Sequence, residues 1–344
     1  MQLHSFKNDY SEGCHPAILQ ALIDSNLIQE EGYGNDSFSL KAVEMLRDAV
    51  GKSEVGVYFM PIGTQTNLTV ISSILKSYEY VIAAETGHIV GSEAGAIEAT
   101  GHKVVTLPTQ VDGKIRLTDL HQYFDAQSDH PLFMSPRLLY ISNSTELGAI
   151  YTKAELKALS EYCHEKNMFL FVDGARLASA LTAEGNDVTL KDMGQLVDIF
   201  YIGATKAGAL IGEAVVISDK SLEAGFAMNM KQKGAVLAKG RLLGIQFVEL
   251  FKDNLYFELA KHANKMAKKI SDAIRKKGFH FLTESNTNQL FPILPNDCIQ
   301  KLHEKYAFYT WKNINAKESA IRLITCWATK EESVDELISD IEKL

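Results

Sequence analysis

The run Phe169-Leu-Phe-Val-Asp-Gly-Ala-Arg176 places an aspartate where an apolar stretch stops abruptly. A second run, Asp198-Ile-Phe-Tyr-Ile202, leads in the same way into Gly203-Ala-Thr-Lys-Ala-Gly208. Apolar runs of this length read as buried strands, so Asp173 and Lys206 are predicted at the carboxyl ends of neighbouring strands. An acid and an amine so placed fit pyridoxal phosphate (PLP), whose lysine forms a Schiff base and whose pyridinium nitrogen wants an acidic partner. Small neighbours such as Gly203, Ala204, Ala207 and Gly208 leave room for a planar ring beside the backbone. A surface lysine in a Gly-rich turn has the same local composition, and a strand-end aspartate often caps the next helix. The two together favour the cofactor reading.

Other residues extend the pattern. Arg176, one turn beyond Asp173 if a helix starts there, can hold a substrate carboxylate through a bidentate pair. Arg322, in Ile321-Arg-Leu-Ile, is a second carboxylate candidate, or else the member of an internal salt bridge, since a charge in an apolar run is costly unless paired. Pro61-Ile-Gly-Thr-Gln-Thr-Asn67 follows a strand and opens a helix, where backbone N–H groups can cradle a phosphate or simply be capped. His88, after Ala84-Glu-Thr-Gly, is a candidate for stacking on a ring and for general base, with Glu93 and Glu146 as further candidates near the same face.

Seven short apolar or β-branched runs must position these residues: 55–60, 80–84, 103–107, 138–142, 168–172, 198–202 and 213–218. Helical patterns at 65–77, 88–100, 153–166 and 188–196 separate most of them. This predicts an α/β fold with a seven-stranded, mostly parallel sheet covered by helices on both faces. The last two runs are joined tightly, which suggests one antiparallel strand. After residue 252 a long amphipathic helix precedes short strand-like pieces at 279–282, 289–293 and 320–326 and a final helix at 330–344. The expected domains are therefore 1–252, a large PLP-binding domain, and 253–344, a small C-terminal α+β domain, with the site where they meet.

The composition narrows the classes. The net charge of −8 argues against a nucleic-acid surface. No stretch approaches the roughly 18 apolar residues of a membrane span. The N-terminal residues lack signal-peptide regions, and Cys14, Cys163, Cys298 and Cys326 show no paired spacing, so a cytoplasmic location is expected. No cluster has metal-ligand spacing. Neither a Walker pattern nor GxGxxG occurs, which disfavours a nucleotide-binding oxidoreductase.

Taken in order, Gly32-Tyr-Gly-Asn-Asp36, Pro61-Ile-Gly-Thr-Gln-Thr-Asn67, Glu85-Thr-Gly-His88 with Glu93-Ala-Gly95, Val172-Asp-Gly-Ala-Arg-Leu177 and Gly203-Ala-Thr-Lys-Ala-Gly208 resemble the low-specificity L-threonine aldolases of the threonine aldolase and β-eliminating lyase group. The resemblance continues through Asn143-Ser-Thr-Glu-Leu-Gly148, Lys231-Gln-Lys-Gly234, Phe308-Tyr-Thr-Trp311 and the segment from Arg322 to Trp327, so it covers nearly the whole chain. It implies an aspartate-aminotransferase-like PLP fold, a homo-oligomer built as a dimer of dimers, and retro-aldol cleavage of threonine to glycine and an aldehyde, with β-elimination as the rival reaction. By resemblance Lys206 and Thr205 belong to the PLP site, with Asp173 at the ring nitrogen, His88 on the ring, and Gly63 and Thr64 at the phosphate. Lys231 or Gln232 contributes across a subunit interface, while Arg176 and Arg322, with Asn8 or Asp9 nearby, hold the substrate carboxylate. The chain departs from the pattern twice. It reads Asn8-Asp9 where many relatives have Ser-Asp, and it has no histidine between Asn143 and Glu146 where some relatives have one.

Overall fold

The computed structural model describes residues 4–127 and 130–344. Seven strands form the large sheet: β1 (Gly56–Met60), β2 (Glu79–Ala84), β3 (Lys103–Leu107), β4 (Ser135–Ser142), β5 (Phe169–Asp173), β6 (Ile199–Gly203) and β7 (Glu213–Ile217). Their spatial order is β1-β7-β6-β5-β4-β2-β3. Only β7 is reversed, pairing antiparallel with both β1 and β6, while the other neighbours run parallel. The tight β6–β7 connection explains this, because it is too short for a parallel crossover.

Both faces of the sheet are buried, and the side chains alternate between two cores. Leu139, Ile141, Leu170, Val172, Phe200 and Ile202 enter one, and Leu138, Tyr140, Phe171, Ile199 and Tyr201 enter the other. Two-sided burial is why the strands appear in the sequence as continuous apolar runs. Helices Ser37–Val50, Lys153–Glu165 and Arg241–Phe251 contribute to the first core; Gly63–Ile74 and Phe226–Gln232 contribute to the second. The first of these is capped by Asp36, whose carboxylate accepts the Ser39 N–H at 2.8 Å.

One expected helix is broken. In place of a helix over 88–100 there is a single turn, His88–Gly91, and a 3-10 turn, Glu98–Thr100. Between them Ala94 and Gly95 take positive φ, which turns the chain and ends helical continuity.

The C-terminal part carries a third core around Met266, Ile270, Leu290, Leu323, Val334 and Leu337. It contains the long helix Leu255–Lys276, a five-stranded sheet and the final helix Glu331–Glu342. The chain's beginning joins it. His4–Ser5 pairs in parallel with Tyr306–Ala307, and Phe6 is buried in this third core. That pairing brings the residues just after Phe6 to the edge of the large sheet.

Candidate active site

Register collects polar groups at one edge of the sheet. Ser142, the last residue of β4, pairs with Asp173, the last of β5, and Gly203, the last of β6, pairs with Glu213, the first of β7. Because β7 is reversed, its starting carboxylate joins the carboxyl ends of the parallel strands, where ligands of open α/β sheets bind. Two glycines let β5 and β6 close on each other here. A Cβ at Gly174 would lie 1.7 Å from the Tyr201 carbonyl oxygen, and one at Gly203 would lie 2.7 Å from the carbonyls of Gly174 and Ala175.

A cleft of about 260 Å³ opens above this edge. Its lining includes Gly63, Thr64, His88, Glu146, Asp173, Arg176, Thr205 and Lys206, so eight residues singled out in the sequence converge. Asn67, Ser142, Tyr201 and Glu213 also line it and were not anticipated.

Asp173 is the most heavily solvated carboxylate of the site, though the solvent is protein. Tyr140 Oη donates to Oδ2 at 2.6 Å, Asn67 Nδ2 to the same oxygen at 3.0 Å, and the Ala175 N–H to Oδ1 at 3.0 Å; Tyr201 Oη also donates to Oδ1. Burial alone would raise this carboxyl, but the donors led by Tyr140 and Tyr201 outweigh it and hold the pKa below the ordinary aspartate value.

Lys206 is driven the other way. Burial and the nearby Arg176 lower its pKa, against opposing pulls from Asp9, Asp173 and Glu213. An amine that sheds its proton easily is a nucleophile. Glu213 accepts from the Ala204 N–H at 3.1 Å and from Thr205 Oγ1 at 3.0 Å, and burial pushes its pKa up to about 8, against the pull of Lys206. The Thr205 hydroxyl is thereby committed to the loop that carries Lys206.

His88 is held from two sides. Its Nδ1 lies 2.7 Å from Glu93 Oε1, which also accepts from Asn67 Nδ2 at 2.7 Å. The break after His88–Gly91 is what folds Glu93 back onto the ring. The His88 N–H donates to Glu146 Oε1 at 2.9 Å.

Arg176 gives Asp9 two parallel bonds, Nε to Oδ2 at 2.7 Å and Nη2 to Oδ1 at 3.0 Å, and Asn288 Nδ2 adds a third donor to Asp9 at 2.9 Å. Asp9 thus orients Arg176 and leaves Nη1 for another anion. Asn8 is spent locally, its Oδ1 accepting from the Tyr10 N–H at 3.1 Å and the Ser11 hydroxyl at 2.8 Å. Arg322 donates from Nη2 to Gln289 Oε1 at 2.8 Å and lies 5.4 Å from the centre of the Trp311 ring. Burial and the proximity of Arg176 bring its pKa down to about 10, and its Nε is buried without a partner among the described residues. Two guanidiniums close enough to oppose each other form a natural seat for a carboxylate.

Lys231 stands apart from this cleft. Its ammonium lies 4.6 Å from the centre of the Tyr33 ring, in a separate, mainly apolar cleft of about 560 Å³ lined also by Leu40, Val57, Phe59 and Met230.

The donor set fits PLP. The helix Gly63–Ile74 begins at the cleft with no side chain capping it, so its first N–H groups face an anion position. Asn67 Oδ1 and Ser144 Oγ, on lining residues, are buried and have no partner among the described residues. A charged acid, an amine of lowered pKa and an uncapped helix start surround one space.

Comparisons with known proteins show the family and the fold. The sequence profile of the beta-eliminating lyases matches residues 9–323. A low specificity L-threonine aldolase from Pseudomonas aeruginosa is 29% identical over 340 residues, 98% of this chain and 96% of that protein. The structure of a Leishmania major threonine aldolase is 45% identical, with 99% of each chain covered and a TM-score of 0.96. Thermus thermophilus aspartate aminotransferase, at 13% identity and a TM-score of 0.72 over 99% of this chain and 91% of that one, shares the fold. The chain belongs to the beta-eliminating lyase family, on its threonine aldolase side.

Proposed function

We propose that this protein is a PLP-dependent aldehyde-lyase that cleaves L-threonine and L-allo-threonine to glycine and acetaldehyde. The observation that carries this reading is the cleft itself, with Lys206, Asp173 and the start of the helix Gly63–Ile74 around one space and two arginines beside it. When bound, PLP supplies an electron sink conjugated to the substrate's amino group. Lys206 would hold it, Asp173 would face its ring nitrogen, Gly63 and Thr64 would take its phosphate, and His88 would lie against its ring.

Substrate handling follows from the remaining residues. Arg176, oriented by Asp9, and Arg322, with its free Nε, bind the carboxylate from two directions and so fix how the rest of the amino acid lies in the cleft. Cleavage of threonine requires that the β-hydroxyl lose a proton, that the Cα–Cβ bond break and that Cα regain a proton. Fixed geometry of this kind can supply on the order of several kcal/mol towards the barrier.

The working form is a homo-oligomer, a dimer of dimers by family resemblance. Leu19, Ile23, Leu27, Ile28, Leu40 and Met228 are exposed apolar side chains, more than a solitary surface would favour. Lys231 then serves a neighbouring copy. No described helix is long and apolar enough to cross a membrane, and we assign the protein to the cytoplasm. Product analysis on PLP-loaded protein tests the reaction. Acetaldehyde with glycine supports it, whereas ammonia with 2-oxobutanoate means β-elimination and overturns it.

A further inference from the structure

Four carboxylates other than Asp9 gather around the cleft, and their hydrogen bonds and their access to it separate them. Asp173 accepts four donors across its two oxygens. Glu213 has both oxygens engaged, by Ala204 and Thr205. Glu93 also has both partners, His88 Nδ1 and Asn67 Nδ2, on Oε1 and an Oε2 without a partner among the described residues, but its side chain has no solvent exposure and it does not line the cleft. Glu146 differs. Both of its donors, the His88 N–H at 2.9 Å and the Ser142 hydroxyl at 2.6 Å, fall on Oε1. Its Oε2 has no hydrogen-bond partner among the described residues, and, unlike Glu93, Glu146 lines the cleft, with Asp173, Arg176 and Lys206. One oxygen is clamped, and the other is left for a ligand.

We propose that Glu146 Oε2 takes the proton of the substrate's β-hydroxyl, a role that rests on the aldolase reading above. The O–H bond breaks and its proton moves to Glu146. The electron pair left on oxygen forms the carbonyl of the departing aldehyde. The Cα–Cβ bond breaks and its pair stays with the amino-acid fragment, where PLP, held by Lys206, would delocalise it. Cα then takes up a proton from water and Glu146 returns its own to water, so the protons balance and no oxidant or reductant is consumed.

The surroundings suit a base. Burial pushes the Glu146 carboxyl up, the Ser142 hydroxyl opposes this, and Asp173 adds to the rise, so a proton is held more firmly than on a solvated glutamate. The charged and titratable groups acting with it are Asp173 and Arg176 around the end of β5, His88 beside β2, Tyr140 on β4 and Tyr151 beyond it. His88 is the alternative base, but its side chain is 44% exposed and one ring nitrogen is already occupied by Glu93.

The test compares wild-type holoenzyme with Glu146→Gln. Glutamine keeps an oxygen for His88 and Ser142 but does not act as a base. Expected is a fall in kcat for threonine of roughly 100- to 1,000-fold, the usual range for a lost general base. KM should stay within about threefold, because the arginines still bind the carboxylate. Exchange of glycine's α-protons in deuterated water, which involves no β-hydroxyl, should proceed at the wild-type rate. Glu146→Asp, which retains a carboxylate, should recover at least about tenfold of the lost kcat. On the cofactor-free chain, the infrared carboxyl band removed by Glu146→Gln should titrate above the ordinary glutamate value.

The inference falls if Glu146→Gln keeps most of its kcat while the wild type releases acetaldehyde. It also falls if glycine exchange is lost in parallel with cleavage, because Glu146 would then be supporting the site in general. Wild-type holoenzyme that exchanges glycine but releases no acetaldehyde would remove the aldolase reading, and this base with it.

Discussion

Replacing Asp9 with alanine would strand a buried guanidinium. Asp9 is 1% exposed and the Arg176 side chain 13%, and the pair is joined by two parallel bonds. Removing one partner of a buried pair costs about 3–5 kcal/mol, because the other charge is left unpaired. With an unfolding entropy of about 2.1 cal/mol/K per residue over 344 residues, the midpoint should drop by about 4–7 °C. The effect depends on pH in a definite direction. Burial alone would raise the Asp9 carboxyl, but Arg176, Lys206 and Asn288 together lower it, so its folded pKa lies below its unfolded one. The pair's contribution is complete above the unfolded value of about 3.9 and is lost as the pH falls through the folded value. Calorimetry of cofactor-free wild type and Asp9→Ala should therefore show a gap at neutral pH that narrows on acidification. KM for the amino acid should also rise, since Arg176 loses its fixed orientation. A midpoint within ~1 °C of wild type at neutral pH, or a gap that widens in acid, would refute the reasoning.

Lys206→Ala should fold normally, since the side chain makes no hydrogen bond among the described residues and its amine is already destabilised by burial, and should fail to develop the cofactor's absorbance above that of free PLP when loaded and dialysed. Gly174→Ala puts a methyl 1.7 Å from the Tyr201 carbonyl, so a loss of more than about 3 kcal/mol is expected in denaturant melts, or no soluble protein. Arg322→Ala removes a charged donor from the carboxylate seat; steady-state kinetics should show KM up by roughly 10- to 100-fold with a smaller change in kcat, the scale of one charge-assisted bond. Glu213→Gln should reveal a pH-dependent cost. The wild-type carboxyl, at about 8 when folded, holds a proton that the unfolded chain gives up, so stability is lost as the pH rises towards 8. Midpoints of cofactor-free variant and wild type should shift in the variant's favour between mildly acidic and mildly alkaline pH. The gain is on the order of 1–3 kcal/mol, because the pH window covers only part of the interval between the unfolded and folded values; an unchanged difference would contradict it.

The seven strands were legible because burial on both faces leaves unbroken apolar runs, and all seven appear within a few residues of their expected bounds. The reversal of a strand next to Lys206 was legible too, from the short β6–β7 connection. The helix expected over 88–100 was not, because side-chain periodicity says nothing of the positive φ at Ala94 and Gly95 that ends it. Tyr140 and Tyr201 look like ordinary core aromatics in the sequence, and only the register of β4, β5 and β6 brings their hydroxyls to Asp173. Glu213 was missed for a related reason. A carboxylate at the head of an apolar strand signals a strand end, but not that a reversed strand starts where its neighbours finish. The Asp9–Arg176 pair spans most of the large sheet's sequence, a long-range contact no local spacing announces.

The protonation pattern follows from where the donors are, and that pattern is what the proposed chemistry needs. A carboxylate at the ring nitrogen must remain charged in a buried place, which costs several kcal/mol unless hydrogen bonds replace water. Asp173 receives four, two of them from tyrosines anchored in the second core. Groups that exchange protons during turnover need the opposite, a carboxyl whose neutral form is within reach. Glu146 and Glu213 receive two donors each, and both are raised by the same burial that Asp173 resists. Charge is thus fixed on β5 and left adjustable on either side of it, after β4 and at the start of β7. The reversed β7 is essential to this arrangement, because a parallel strand in its place would put its first residue, and hence Glu213, at the opposite edge of the sheet.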